Sequence, residues 1–475
     1  MGQKLTSIER GPALRIVVAG AALMISVLLA SCQGGDPDTV PIPMSCGDGV
    51  CAADETCVSC ATDCGTCPDA RTTVTRGPYL QSGSSSSVVV RWRTDQDTDS
   101  VVAYGADPTS MNNVVTSSAT TPEHQVRIEG LEADTRYYYA FGSSSAPLIG
   151  ADDDHFFTTA PQTGAAVPTR IWVLGDSGTA NDNARSVRDA YRSFTGTRET
   201  DLWLMLGDNA YNDGTDEEYQ RAVFEMYPDT LRNAVLWPTL GNHDGHSAES
   251  ATQTGPYYDI FTLPTSAEAG GVPSGTEAYY AFDYANVHFV CLDSYDSNAD
   301  PDGAMMTWME NDLAATAQPW VVAFWHHPPY TKGSHDSDSE GRLVDMREFA
   351  LPILEAYGVD LVLSGHSHSY ERSMLLAGHY GTSDTLTGAM KVDSGDGRED
   401  GDGAYSKPGS TAEGAVYLVA GSSGKTSSAA LDHPAMYISL LELGSVVLDV
   451  DDARLDATFL DDSGSVQDSF TIRKD

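Results

Sequence analysis

After Pro168 the chain repeatedly sets a short, unbroken apolar run against a polar stop. The runs are Ile171-Trp172-Val173-Leu174, Leu202-Trp203-Leu204-Met205-Leu206, Val321-Val322-Ala323-Phe324-Trp325, Leu361-Val362-Leu363-Ser364 and Val416-Tyr417-Leu418-Val419-Ala420. Apolar runs of four to six residues predict strands buried on both faces. Helical periodicity over 182–194, 216–226, 305–315 and 343–356 predicts helices between some of them. The combination is a layered α/β core, in which chemistry is expected at the C-terminal ends of the strands. From Ser445 to Ile472 the pattern becomes an alternation, which predicts antiparallel strands in the same domain.

Upstream, from about Arg76 to Ala160, the pattern is all-β. Val88, Val90 and Trp92 alternate with Val89, Arg91 and Arg93, a polar turn is expected next, and Val101, Val102 and Tyr104 resume the strand pattern. His124 to Leu131 alternates again. Leu131-x-x-x-Thr135-x-Tyr137-x-Tyr139 resembles a strand start of fibronectin type III sandwiches, and one of its tyrosines is expected to make the corner hydrogen bond of such folds.

Lys4, Arg10 and Arg15 precede an apolar run from Ile16 to Ala30, the length of a signal peptide and short for a stable membrane span. It ends in Leu29-Ala30-Ser31-Cys32, which resembles a bacterial lipoprotein cleavage box. The expected mature chain starts at lipid-modified Cys32 and is anchored to the outer membrane or cell surface; a plain secretory signal, giving a secreted or periplasmic protein, is the alternative. A glycine- and proline-containing tether follows over 32–45. Cys46, Cys51, Cys57, Cys60, Cys64 and Cys67 then crowd a segment, 46–70, too short to build a core, which reads as a disulfide knot of undetermined pairing. Zinc is the competitor, because Cys57-x-x-Cys60 and Cys64-x-x-Cys67 have ligand spacing. Cys291 stands alone in a predicted buried strand.

Charge limits the partners. With 68 acidic against 27 basic residues and a net charge of -41 over 475 residues, the surface repels nucleic acid and anionic membrane at long range. A phosphate substrate would be repelled too, so its attraction must come from local cations.

Five segments supply candidate chemistry at the predicted strand ends. They are Gly175-Asp176-Ser177-Gly178, Gly207-Asp208-Asn209-Ala210-Tyr211, Gly241-Asn242-His243-Asp244, His326-His327-Pro328-Pro329-Tyr330 and Gly365-His366-Ser367-His368-Ser369-Tyr370-Glu371-Arg372. Together they offer carboxylate, phenolate, amide and imidazole, enough for two adjacent metal ions, which hydrolysis of a phosphate ester uses to activate water and neutralise phosphoryl oxygens.

In this order the segments resemble the metallophosphoesterase superfamily, and Tyr211 makes the chain similar to the purple acid phosphatases. Arg76-Gly77-Pro78-Tyr79-Leu80-Gln81 also looks like the start of that family's N-terminal domain. The resemblance covers about residues 71 to 475. It implies an α/β fold, a four-layer α/β/β/α metallophosphoesterase domain (165–475), preceded by a small all-β, fibronectin III-like sandwich (71–162), with the signal segment (1–31), tether and Cys-rich segment before it. It implies that Asp176, Tyr211 and His368 bind a first metal, ferric iron (Fe(3+)), that Asp208 bridges, and that Asn242, His326 and His366 bind a second, divalent ion: zinc, manganese or iron. His243 is placed to contact a phosphate oxygen or protonate the leaving group, and His335 matches a second-sphere histidine. Asp336 stands where the plant-type pattern has a histidine. His327, next to a ligand on an extended chain, is expected to point away; Glu371 and Arg372 are expected to support their loop. The implied activity is hydrolysis of small phosphate monoesters by metal-bound hydroxide. A phosphodiesterase or nucleotidase with the same dimetal site is the alternative within enzymes, and a surface binding or adhesion protein with a vestigial site is the alternative outside them.

Overall fold

The structure is a computed structural model and describes residues 72–409 and 413–475. The signal segment, the tether, the lipid-modified cysteine and the disulfide knot all fall outside the described residues. Among those described, no helix is long and apolar enough to cross a membrane.

Two seven-stranded mixed sheets form the larger part. The first runs in the order Tyr280–Tyr284, Val287–Cys291, Trp320–Trp325, Leu361–Ser364, Val416–Ala420, Tyr370–Ser373, Met436–Leu440. The second runs Tyr405–Ser406, Val466–Arg473, Arg454–Asp461, Gly444–Asp451, Thr169–Leu174, Leu202–Met205, Val235–Pro238. All five apolar runs are strands. In the first sheet their two faces serve different cores. Trp320, Val322 and Phe324 join the cluster between the sheets, while Val321, Ala323 and Trp325 join the cluster beneath the helices Ala304–Ala315 and Leu351–Ala356. That two-sided burial is why these runs carry no alternation. Across the inter-sheet layer Trp237 stacks on Phe282, with centroids 3.8 Å apart, and Tyr370 stacks on Phe459 at 4.0 Å. On the outer face of the second sheet Trp172 stacks on Tyr191 of the helix Asp182–Thr195. The layers are therefore α/β/β/α.

Two predicted helices are less regular than their periodicity suggests. Residues 216–226 contain the α-helical turn Asp216–Tyr219 followed by π-helical Gln220–Phe224, where Glu225 N–H reaches the Gln220 carbonyl. The segment 343–356 likewise passes through π-helical Met346–Ala350. The strands after Ser445 pair antiparallel, and Gly444–Asp451 joins them to Thr169–Leu174.

The N-terminal part is all-β around Leu80, Val88, Val90, Trp92, Val102, Val126, Ile128, Tyr139 and Phe141. The polar turn expected after Arg93 does not form: Ser87–Gly105 is one strand, and Thr94–Asp99 is absorbed by register shifts against Asn113–Glu129. Its two halves have different second neighbours, Val74–Gln81 for the first and Arg136–Gly142 for the second, so one long hairpin serves both sides of the sandwich. The corner bond is made by Tyr137, whose hydroxyl accepts the Glu132 N–H at 3.0 Å.

Val89 and Arg91, on the face opposite Val88 and Val90, are also buried, because that side meets the α/β domain. Arg91 donates to the Asp259 carbonyl at 2.6 Å, and Arg93 forms two bonds of 2.6 Å to Asp216. Tyr79 donates to the Ile260 carbonyl at 2.8 Å and Gln81 to the Leu236 carbonyl at 2.9 Å. Arg76 pairs with Asp216 at 3.0 Å. The segment from Arg76 to Gln81 is thus a docking strip.

Candidate metal centre

Every candidate ligand follows the C-terminal end of a strand. Thr169–Leu174, Leu202–Met205 and Val235–Pro238 run parallel in one sheet, and Trp320–Trp325, Leu361–Ser364 and Val416–Ala420 run parallel in the other. Their ends meet at one edge of the inter-sheet layer. The turns there are sharp. Asp176, Asp208 and His366 hold left-handed backbone, with φ of 56°, 52° and 66°, a conformation costing on the order of 1 kcal/mol or more for a non-glycine residue. Gly241 is required by proximity, since a Cβ there would lie 2.0 Å from the Asp208 nitrogen.

The ligand atoms form two groups about Asp208. In the first, Tyr211 Oη donates to Asp176 Oδ1 at 2.9 Å, and His368 Nε2 lies 3.5 Å from both Tyr211 Oη and Asp176 Oδ1. In the second, His326 Nε2 lies 3.1 Å from Asn242 Oδ1 and 3.2 Å from His366 Nδ1. Asp208 Oδ1 is 3.4 Å from His326 Nε2. Asp176, Asp208 and His326 each bring a ligand atom within 4.8 Å of the others. The structure thus brings together all seven residues expected to bind metal.

The surroundings fix which atoms face inward. His326 Nδ1 donates to the Leu206 carbonyl at 2.8 Å, so its proton is committed there and Nε2 turns to the cluster. His368 Nδ1 is held by Ser427 Oγ at 2.9 Å. Such partners orient metal-binding imidazoles.

Charge fits a cation. Burial resists ionisation of Asp176, but His368, 3.5 Å away, together with His326 and His366, outweighs it and holds the carboxyl well below its usual range. Burial pushes His366 down to about 4, which keeps its imidazole neutral, the form that binds metal. Burial also drives the Tyr211 phenol well above its ordinary value, and Asp176 and Asp208 drive it further; only a strongly positive neighbour would make it a phenolate. Oxygen, nitrogen and phenol donors converge with few protons to share, and the donor set fits a pair of metal ions.

His243 and His335 flank the cluster. His243 Nδ1 donates to the Asn212 carbonyl, and Nε2 faces Asp208 Oδ2 at 3.9 Å. The His335 ring stacks on His366 with centroids 3.7 Å apart, and its Nδ1 is held by Glu340 at 2.9 Å. His327 departs from expectation: its ring lies 4.4 Å from that of His366, with Nδ1 on Ser294 Oγ at 2.8 Å. The backbone turns at the strand end, so neighbouring side chains need not diverge. Glu371 and Arg372 brace the loop as expected. Arg372 grips Asp468 through bonds of 2.6 and 2.9 Å, and Glu371 accepts from Ser369 Oγ at 3.1 Å.

Sequence reasoning gave no role to Asp244, Glu340 or the loop after Ala420. Asp244, fully buried, accepts from the backbone of Asn209 and Gly241 and from Tyr219 Oη at 2.6 Å. It ties the loop of Asp208 to that of Asn242. Burial and the charge of Asp208 push its pKa up to about 7. Glu340 joins His335 to His366, lying 3.8 Å from His366 Nε2, and the nearness of His366 leads the effects that hold it down at about 2.

Two family models match the chain. The calcineurin-like phosphoesterase model matches residues 169–370, and the purple acid phosphatase N-terminal domain matches residues 76–159. Purple acid phosphatase 23 of Arabidopsis thaliana is 30% identical over 278 residues, which cover 52% of this chain and 57% of that protein. Purple acid phosphatase 15 of the same plant is 30% identical over 53% of this chain and 49% of its own length. The chain thus spans about half the length of these relatives. Among solved structures, the purple acid phosphatase PPD1 from yellow lupin (Lupinus luteus) seeds aligns over 84% of this chain and 74% of its own, with TM-score 0.59 and 17% identity. PhoD aligns over 86% and 92%, with TM-score 0.59 and 16% identity. At such identities these structures speak for the fold alone. Residues 169–370 thus match the calcineurin-like phosphoesterase model and residues 76–159 the purple acid phosphatase N-terminal domain, and over these two regions the chain resembles the purple acid phosphatases.

Proposed function

We propose that the protein is a dimetal-dependent phosphoric ester hydrolase acting on small phosphate monoesters. The observation that supports this best is the pair of donor groups about Asp208: Asp176, Tyr211 and His368 on one side, Asn242, His326 and His366 on the other. Hard carboxylate and phenolate oxygens suit ferric iron, and the amide with two imidazoles suits zinc, manganese or divalent iron. When bound, such a pair supplies an activated water and positive charge against the phosphoryl oxygens.

The chain's own residues supply the rest. His243, its Nδ1 committed to the Asn212 carbonyl, presents Nε2 to a phosphoryl oxygen. His335, braced by Glu340 and stacked on His366, is positioned to hand a proton to the leaving alcohol. The relatives' names, purple acid phosphatase and, for one from Allium cepa, phosphoenolpyruvate phosphatase, support a monoester substrate. The signal and Cys32 pattern supports an exported enzyme held by a lipid anchor, and Cys32→Ala should move it from the membrane to the soluble fraction.

The test is turnover of an aryl phosphomonoester and the matching diester across pH 4 to 9, with Asn242→Ala as control. Monoester turnover at acid pH that the substitution abolishes supports the proposal. Diester preference or a neutral optimum moves the function to a phosphodiesterase, and no metal-dependent turnover on either ester refutes the enzyme reading.

A further inference from the structure

The loop after the strand Val416–Ala420 is stitched to the ligand loops. Gly421 N–H donates to the Ser369 carbonyl at 3.2 Å, Ser423 N–H to the Gly175 carbonyl at 3.1 Å, and Ser427 N–H to the His368 carbonyl at 3.2 Å. Gly424 passes so close that a Cβ would lie 2.6 Å from the Asp176 carbonyl oxygen. These contacts fix the residue between them, Lys425. Its Nζ stands 3.7 Å from the centroid of the Tyr211 ring, and the side chain is half-buried.

Among the described residues no hydrogen bond or ion pair engages that ammonium. The contrast with Lys332 is instructive: it also lies near the cleft, but Asp336 and Asp338 occupy it. An ammonium has three donors, and leaving them unmatched in a half-buried place is unfavourable. The Tyr211 ring face steadies the charge without using those donors. In a chain of net charge -41, such a group beside the ligand cluster is suited to an incoming anion.

We propose that Lys425 is a substrate-positioning residue that takes a non-reacting phosphoryl oxygen and so favours dianionic phosphomonoesters over monoanionic diesters. The inference deepens the hydrolase reading above and rests on it. A doubly charged phosphoryl group gains more from a fixed cation than a singly charged one, and the second ester substituent of a diester also removes one acceptor oxygen.

The test uses the metal-loaded full chain as wild type, Lys425→Gln and Lys425→Arg. Calorimetry gives the Kd of inorganic phosphate, and kinetics give KM and kcat for the aryl monoester and diester. Lys425→Gln is expected to raise the phosphate Kd and monoester KM about tenfold, the loss of one charge-assisted hydrogen bond. The kcat should stay within about twofold and the diester KM within about threefold, and Lys425→Arg should restore most of the affinity. Unchanged Kd and KM in Lys425→Gln, or equal losses on both esters, overturns the proposal. So does a fall in kcat with lowered melting temperature and unchanged phosphate Kd, the signature of a structural role. Wild-type protein that neither binds phosphate nor turns over either ester instead rejects the hydrolase reading itself.

Discussion

Replacing His288 with glutamine should destabilise the α/β domain by about 3 kcal/mol at neutral pH, and the loss should shrink in alkali. His288 is buried in the strand Val287–Cys291, with Nδ1 2.8 Å from Asp283 and Nε2 2.7 Å from Asp312. It joins the edge strand Tyr280–Tyr284 to the helix Ala304–Ala315. Burial alone would lower its pKa, but the two carboxylates outweigh burial and raise it from the ordinary 6.5 to about 9. Because the folded value lies above the unfolded one, the stabilisation is fully present below about pH 6.5 and is lost as pH rises through about 9. At about 1.4 kcal/mol per pH unit, the difference corresponds to about 3 kcal/mol. An independent route gives a similar figure: removing the cation strands Asp312, which is fully buried, and breaking a buried pair costs roughly 3–5 kcal/mol. The assay is urea unfolding of wild type and His288→Gln at pH 6.5, 8 and 10. A gap of about 3 kcal/mol that falls below about 1 kcal/mol at pH 10 is expected. A gap that stays constant with pH, or is under about 0.5 kcal/mol throughout, would refute charge as the cause.

Three further outcomes bear on the metal centre. Asp244→Ala strands the donors of Asn209, Gly241 and Tyr219; it should cost about 3 kcal/mol and lower metal retained per chain after dialysis, and full retention would deny Asp244 its tying role. Tyr211→Phe should bleach any visible band of the iron-loaded protein while leaving the circular dichroism unchanged, and a surviving band would mean that the chromophore lies elsewhere. Glu340→Ala removes the partner shared by His335 and His366. It should lower kcat or metal affinity about 10- to 100-fold, read against an unchanged melting temperature.

The strands of the α/β core were legible because burial on both faces leaves uninterrupted apolar runs, and the candidate ligands that converge at the site were legible because residue types able to bind metal recur at the ends of those runs. What escaped had physical reasons. The π-helical turns at Gln220–Phe224 and Met346–Ala350 keep helical periodicity closely enough to hide a one-residue insertion. Thr94–Asp99 has turn composition, yet the long strand carries it through as a register shift. Glu340 is masked by the acidic residues around it, Asp336 and Asp338, in a chain rich in carboxylates. Asp244 ties the loops through the backbone N–H groups of Asn209 and Gly241, which leave no sequence pattern, and through the distant Tyr219 hydroxyl. Lys425 did leave a signal: a lone basic residue in a glycine- and serine-rich stretch, directly after a predicted core strand.

The strip from Arg76 to Gln81 has a consequence for how the sandwich can be handled. Sandwich domains commonly hang beside a catalytic domain as beads on a string. Here Tyr79, Gln81 and Arg91 insert their polar ends into carbonyl oxygens of the neighbouring core, and Tyr139 adds a bond to the Arg232 carbonyl at 2.9 Å. Removing the sandwich would uncover those carbonyls and the apolar surface around them, so it acts as a splint that cannot be trimmed off or exchanged like a detachable module. A cargo or tag joined ahead of Val74, where the first described strand begins, leaves these bonds in place.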